Sequence, residues 1–463
     1  MSAEQPAVTG GILSREVSEE RYHQKLRTRQ RRGTVARSFF LAANIIALVA
    51  LLALLLHIVN QAFGLVIIRN TVEPATLADR PLEELNESEL LNIFVTNAEG
   101  RLRVAIRDTL SQVPEADFTT TPLSSVLAGR VYPPEMAGAT VNDLSIEQQV
   151  AVLAENLDQP QIHDLVVTSI VRPLVIKSWH LLPSIFDRAS IEAEAARDYP
   201  QDTLRFHAWV NWDFISSSVS SSATTAGLRT ALLGTFYIML VTAVFGLPIA
   251  VGAAVYLEEY ATGKHWLERV IEINIRNLAA IPSVIYGMLG LAVFVRALGH
   301  LTSGAFLGVT DTNGRTVLSA GLTLALLIMP VLIVNAQEAI RAVPRTVREA
   351  SFGLGATRWQ TVSRQVLPAA FPGILTGVIL SLSRAVGETA PLLVVGASTF
   401  IGVDPNGFFS KFTVVPIQIY QWTSRPEPEF KNVAAAAILV LLAVMVLMNL
   451  AAILLRNRTS VRY

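Results

Sequence analysis

Arg384 and Glu388 stand four residues apart inside an apolar stretch, 370–397, long enough to cross a membrane. On a helix that spacing places both on one face, one turn apart. A lone guanidinium in hydrocarbon costs several kcal/mol on insertion scales, and a carboxylate one turn away offsets part of that cost. Two kinds of chemistry are open to the pair. One is a structural ion pair that fixes helix packing. The other is oxyanion handling: Arg384 presents its donors to an anion in a translocation path, while Glu388 orients the guanidinium and weakens its hold so that the anion can leave. Gly387 and Pro391 flank Glu388, so the helix is expected to loosen there and expose backbone groups.

Other chemistries find little support. The chain has no cysteine, which removes thiolate nucleophiles, disulfides and Cys-ligated metals and leaves the redox compartment open. Its seven histidines are scattered without a pair at metal-ligand spacing, so no metal site is expected. No phosphate-binding G-x4-GK[ST] loop occurs; Gly263-Lys264 is followed by His265 and lacks the upstream glycine. The chain is therefore expected to have no catalytic residues and to bind no cofactor itself. Pro282, Ser283, Tyr286 and Gly287 in "AIPSVIYGM", and Asn335, are open to bundle contacts or ligand contacts.

A second polar feature is "REASFGLGATRWQTVSRQVLP", 348–368, between two apolar runs. Thr346 precedes Glu349, and Thr357 precedes Gln360, by the three residues of a reciprocal helix cap. Gly353 and Gly355 can supply the positive φ that ends a helix, and Pro368 is expected to close the second one. The stretch predicts helix, sharp turn, helix, with Phe352, Leu354 and Trp359 around the turn. Docking of another protein and packing beneath the bundle are both open.

These features need membrane spans to position them. The 463 residues are 51% hydrophobic and 16% charged, too apolar for an ordinary soluble enzyme of this length, and a net charge of zero gives no field for nucleic acid. Six segments suffice to span: 39–63, 230–256, 277–298, 316–337, 370–397 and 433–455. Pro330 in the fourth, and the charges in the fifth, predict that these two line the bundle interior. Lysine and arginine gather in "KLRTRQRR" (25–32), at Lys264 and Arg269, at Arg341, Arg345, Arg348, Arg358 and Arg364, and in the tail "RNRTSVRY". By the positive-inside rule both termini and residues 338–369 are cytoplasmic, and "KHWLERVIEINIR" (264–276) is an amphipathic cytoplasmic stretch. The organisation predicted is a basic tail (1–38), a first span (39–63), an extracytoplasmic domain with its connector (64–229), a five-span core (230–457) with a loop at 344–368, and a tail (458–463).

The outer domain reads as mainly helical. Leu91, Phe94, Val95, Ala98, Leu102, Ile106, Leu110 and Val113 recur at helical spacing, and Ser145 with Gln148 forms a capping box before "QVAVLAENL". A Ser/Thr-rich connector, "SSSVSSSATT" (216–225), returns to the membrane.

Glu349, Ala350, Gly355 and Leu367-Pro368 resemble the "EAA" cytoplasmic loop of ABC importer permeases, with Ser351 and Gln365 departing from its pattern. "AAFPGILTGVILSLSRAVGETAPLLVVGA" (369–397), "NLAAIPSVIYGMLGLAVFV" (277–295) and "PIQIYQWTSRPEPEF" (416–430) are similar to the PstA family of phosphate ABC transporter permease subunits, across roughly half the chain. The resemblance implies an all-α membrane protein: six transmembrane helices in a type I ABC importer permease bundle, with a mainly helical extracytoplasmic insertion between the first two spans. It implies a permease of an ATP-driven phosphate importer in a bacterial inner membrane. The implied partners are a homologous second permease, two copies of a cytoplasmic ATPase that holds ATP and Mg, an extracytoplasmic phosphate-binding protein and membrane lipid. Glu349, Ala350, Phe352, Gly355, Trp359, Leu367 and Pro368 would couple to the ATPase, and Arg384 and Glu388 would match an intramembrane pair associated with transport. Rival readings are an importer of sulfate or molybdate and a membrane receptor with an outer sensor domain.

Overall fold

In the computed structural model the chain divides into two compact units, residues 1–59 and 60–463. The residues described are 10–110, 119–127, 130–220, 222–261, 265–308, 314–397, 401 and 404–459; the features expected at Val113, Gly263 and Lys264 lie outside them. Helix α1 (Gly10–Ala62) takes in much of the basic tail as well as the first apolar segment. Beyond Gly33 its sequence has no glycine or proline to stop it, and Gly33–Ala62 is long and apolar enough to span.

The insertion follows as β1 (Phe63–Asn70), α2 (Glu87–Ala98), α3 (Leu102–Thr109), α4 (Ile146–Asn156), α5 (Gln159–Val166), β2 (Pro173–Ser178), α6 (Leu181–Phe186), α7 (Arg188–Asp198), β3 (Thr203–Ala208) and α8 (Trp212–Ser216). The helical spacing read from the sequence is its core: Leu91, Phe94, Leu102, Ile106 and Leu110 are buried in one cluster with Leu123, Leu153 and Ile162. The Ser145 and Gln148 side chains cap α4 reciprocally.

The expectation of an all-α protein is corrected by a three-stranded antiparallel sheet, ordered β2-β1-β3. Its central strand, "FGLVIIRN", is rich in β-branched residues and continues the apolar run of α1 directly. Its pairing partners lie over 100 residues away in sequence, Val66 opposite Ser178 and Leu65 opposite Phe206, so no local pattern announces the sheet. The Ser/Thr connector is tied to it, with Thr224 Oγ1 donating to Pro173 O at 3.0 Å.

The remaining helices are α9 (Arg229–Tyr260), α10 (Trp266–Leu278), α11 (Ser283–Ala297), α12 (Val317–Arg341), α13 (Arg345–Gly353), α14 (Arg358–Gly387), α15 (Ala390–Val395), α16 (Val415–Thr423) and α17 (Glu429–Thr459). Among the described residues five helices are long and apolar enough to cross a membrane, or six with α10 and α11 counted as one bent span. The mostly buried α12 lies at the centre, and small residues let it meet α9 closely. A Cβ added at Gly321 would lie 2.5 Å from Val241 Cβ, and Thr242 Oγ1 donates to Gly321 O at 3.1 Å.

Two span boundaries differ from expectation. The third segment, 277–298, begins inside the amphipathic α10, and the chain then turns through 111° into α11. Pro282, extended at the N-cap of α11, cannot continue the preceding helix. The fifth segment starts earlier, at Arg358, and its helix stops at Gly387.

Candidate functional site

Arg384 lies in the last turn of α14, with Nε 3.3 Å from Glu388 Oε1; the side chains are 48% and 17% exposed. Glu388 has already left the helix, extended at φ −78° and ψ 117°, and its N–H donates to Ala385 O at 3.2 Å. The pair therefore does not sit on one continuous helix. The carboxylate occupies a break, and Pro391 starts the next helix where its missing N–H is not needed. The break is pinned by α11. A Cβ at Gly287 would lie 2.6 Å from Pro391 Cα, and one at Gly290 would lie 2.2 Å from Thr323 Oγ1 on α12. Two glycines three residues apart thus wedge α11 between α15 and α12.

Tyr286, next to Gly287, is buried and its hydroxyl donates to Leu278 O at 2.8 Å, which straps the bend between α10 and α11. Ser283 is the first residue of α11. Asn335 packs against Gly377, where an added Cβ would lie 2.7 Å from its own, so it meets α14 as a bundle contact. One residue before Arg384, Ser383 Oγ donates to Asn449 Oδ1 on α17 at 2.7 Å.

The second site is the turn between α13 and α14. Gly355 takes φ +80°, and its N–H donates to Phe352 O at 2.9 Å. Gly353 is instead the last residue of α13. Thr357 and Gln360 form the reciprocal cap of α14. The Thr346 cap does not form: Pro344, extended, sets the boundary, and Thr346 lies inside the first turn. Nor does Pro368 close a helix. The widened π-turn Val362–Val366 directly precedes it, which relieves the clash of the ring with the carbonyl four residues back and lets α14 run on. Glu349, Ala350, Phe352, Gly355, Trp359 and Pro368 are exposed and Leu367 is half-buried; Leu354 is 91% exposed at the tip. Ser351 and Thr361 hydroxyls, 2.8 Å apart, join the two helices of the hairpin.

A third set of residues escaped the sequence reading. The C-terminal end of α9, "YLEEY" (256–260), meets the end of α12 at one point and the hairpin at two. Glu258 pairs with Arg341 at the end of α12. Glu259 pairs with Arg348 of α13 at 2.7 Å, and this pair is largely buried. Arg348 also donates to Val343 O at 2.7 Å and Ile340 O at 3.0 Å. Finally the Arg358 guanidinium lies 5.4 Å from the centre of the Tyr260 ring. In the sequence these arginines mark only orientation; two adjacent acids ending a span opposite a basic loop are the available signal.

At the other end of α9, Thr230 Oγ1 donates to Asp404 Oδ1 at 2.7 Å, and Arg229 Nε lies 2.7 Å from Asp404 Oδ2. Among the described residues no group of three or more His, Asp or Glu side chains could hold a metal ion.

Residues 246–461 match the model of the binding-protein-dependent transport system inner membrane component. The chain belongs to that family and is a membrane-embedded permease subunit of an ABC importer rather than its ATPase. It is 36% identical over 247 residues to the phosphate transport system permease protein PstA 1 of Mycobacterium tuberculosis, covering 53% of this chain and 75% of that protein. It is 30% identical over 255 residues to the probable ABC transporter permease protein YqgI of Bacillus subtilis, covering 52% and 82% respectively. Among solved structures, a chain of the inward-facing MetNI methionine ABC transporter aligns at TM-score 0.38 and 20% identity over 51% of this chain and 95% of that one. The insertion lies outside the residues matched to the family model.

Proposed function

We propose that the chain is the permease subunit of an ATP-driven importer of inorganic phosphate in a bacterial inner membrane. It forms half of the translocation path with a homologous second permease, served by two cytoplasmic ATPase subunits and an extracytoplasmic phosphate-binding protein. Both termini and the hairpin 344–368 are cytoplasmic, and the insertion faces outward, in keeping with the distribution of Lys and Arg.

The observation that carries this reading is the half-exposed Arg384 guanidinium at a helix break inside the bundle, held by a single carboxylate. Arg384 offers forked donors to an oxyanion, and the low dielectric strengthens that attraction. Glu388 competes for the same donors, so the anion is held weakly enough to leave. The names of the PstA relatives at 31–36% identity favour phosphate. Glu349, Ala350, Phe352, Gly355, Trp359, Leu367 and Pro368 form the face that seats in the ATPase. Closure of the ATPase pair on ATP would move α13, and the Glu259–Arg348 contact would pass that motion to α9.

The test is ATP-dependent uptake of radiolabelled phosphate by the complex in proteoliposomes, with sulfate and molybdate as competitors. Uptake that resists both competitors and collapses in Arg384→Ala supports the reading. Competition by either anion moves the substrate to another oxyanion, and no uptake from an ATP-hydrolysing complex overturns it.

A further inference from the structure

The sheet of the insertion buries one face on the spans and leaves large apolar side chains exposed near one end of its strands. One face, with Val66 and Ile68, packs on Leu228 and Ala231 at the start of α9 and on Phe430, Val433 and Ala437 at the start of α17. Asn432 Nδ2 donates to Ser178 Oγ at 3.3 Å, and Ser178 is the register partner of Val66, so this level of the sheet stands beside the first turn of α17. The first residues of β1 are flanked by the last residues of β2 and β3, Ser178 opposite Val66 and Ala208 opposite Phe63.

The opposite face carries Leu65, and Phe206 across from it shares that face. Ser184 Oγ accepts from Leu65 N at 2.9 Å and seats α6 at the same end. With Ser184 turned inward, Leu182, Ile185 and Phe186 are left exposed, Phe186 by 78%. Trp212, four residues after the end of β3, is 76% exposed on a helix anchored by buried Phe214 against Trp422. At the far end of the strands Arg69 is exposed and paired to Asp202 at 2.7 Å, next to the exposed Leu174.

We propose that α6, Phe206 and Trp212 form an interfacial anchor that dips into the headgroup and upper acyl region of the leaflet nearest the insertion. Bilayer lipid is the occupant that fits. The rim lies at the level where α9 and α17 begin, tied there by the Asn432–Ser178 hydrogen bond and the packing on Leu228, and α9 exposes the apolar Phe236 two turns further on. Its make-up of aromatic and aliphatic groups with Lys177 stacked over Trp179 is that of a membrane boundary, where Trp rings sit at headgroup level and lysines reach to water. The anchor holds the outer domain against the bilayer at a point separate from its packing on the spans.

Because the chain has no cysteine, single-Cys variants can be spin-labelled without background. Phe186→Cys, Trp212→Cys and, at the far end of the sheet, Gln201→Cys would be measured in the assembled complex in nanodiscs of phosphatidylethanolamine and phosphatidylglycerol. Labels at 186 and 212 should collide with dissolved oxygen in preference to a water-soluble nickel chelate, and the label at 201 should show the reverse. Strong nickel access at 186 and 212 would place the rim in water and overturn the proposal. Exclusion of both reagents would place it under another subunit and overturn it equally. The readout does not depend on transport, so it stands or falls apart from the substrate assignment.

Discussion

Glu259 and Arg348, 89 residues apart in sequence, form a largely buried ion pair at 2.7 Å between the C-terminal end of α9 and the hairpin helix α13. Removing one partner of such a pair leaves an uncompensated charge, at a cost of about 3–5 kcal/mol. Arg348→Ala should therefore loosen α13 and lower the yield of assembled complex. The milder Glu259→Gln keeps the shape and loses the charge, and should lower phosphate taken up per ATP hydrolysed while hydrolysis persists. Uptake and hydrolysis measured on the same proteoliposomes check this; an unchanged ratio would reduce the pair to packing.

Gly355 holds φ +80°, where an ordinary side chain costs about 1–2 kcal/mol. Proline cannot adopt that angle and has no N–H for Phe352 O. Gly355→Pro should abolish coupled uptake, Gly355→Ala should reduce it, and Gly355→Asn, which tolerates the left-handed region, should stay near wild type. That order, read by co-purification of the ATPase and by uptake, would assign the effect to turn geometry rather than to a lost contact.

Gly290→Ala would push a Cβ to 2.2 Å from Thr323 Oγ1 and 2.5 Å from its methyl. Overpacking of this kind costs about 1–3 kcal/mol. The variant should melt at lower temperature in detergent, and Thr323→Ala should recover part of the loss by removing both crowding atoms. Absence of recovery would mean that α11 does not rest on α12 as described.

Glu388→Gln leaves Arg384 its geometry but removes the competing charge. The anion should then be held more tightly and released more slowly, giving lower maximal uptake together with a lower KM. A raised KM would instead assign Glu388 to holding the guanidinium in place.

His207 on β3 is kept neutral by burial, with the charge of Arg205 adding to the effect; its pKa falls from 6.5 to about 4. Above pH 6.5 neither the folded nor the unfolded strand is protonated there, and the contribution to stability is complete. Between 6.5 and about 4 the unfolded strand binds a proton that the folded one refuses, so stability falls with pH through that window. Hydrogen-exchange protection of β3, corrected for intrinsic rates, should drop on acidification, and His207→Phe should flatten that dependence.

The apolar segments, the Thr357 cap and the Arg384–Glu388 spacing were legible in sequence because each is a local pattern. The Thr346 cap failed because Pro344 moved the helix start, and the same spacing of residue types carried no sign of that. The sheet and the Glu259–Arg348 contact were not legible for a different reason. Each joins segments far apart in the chain, and β1 merges with the apolar run of the helix before it. The break at Glu388 was anticipated from Gly387 and Pro391, but the wedge of Gly287 and Gly290 that pins it required the packing of three helices.

The bend between α10 and α11 leaves a membrane-crossing arm of eight α-helical and seven π-helical residues, Ser283–Ala297. At 1.5 Å per residue this arm reaches about 22 Å, against a hydrocarbon thickness of about 30 Å. Ser283–Ala297 alone falls short of that thickness, and the helical turn Gly299–Thr302 follows only after Leu298. The surrounding lipid must thin, or neighbouring helices must cover the deficit, each at fractions of a kcal/mol per Å. The protein is thereby made sensitive to acyl-chain length, and a thicker bilayer would press on the arm whose two glycines hold the break at Glu388.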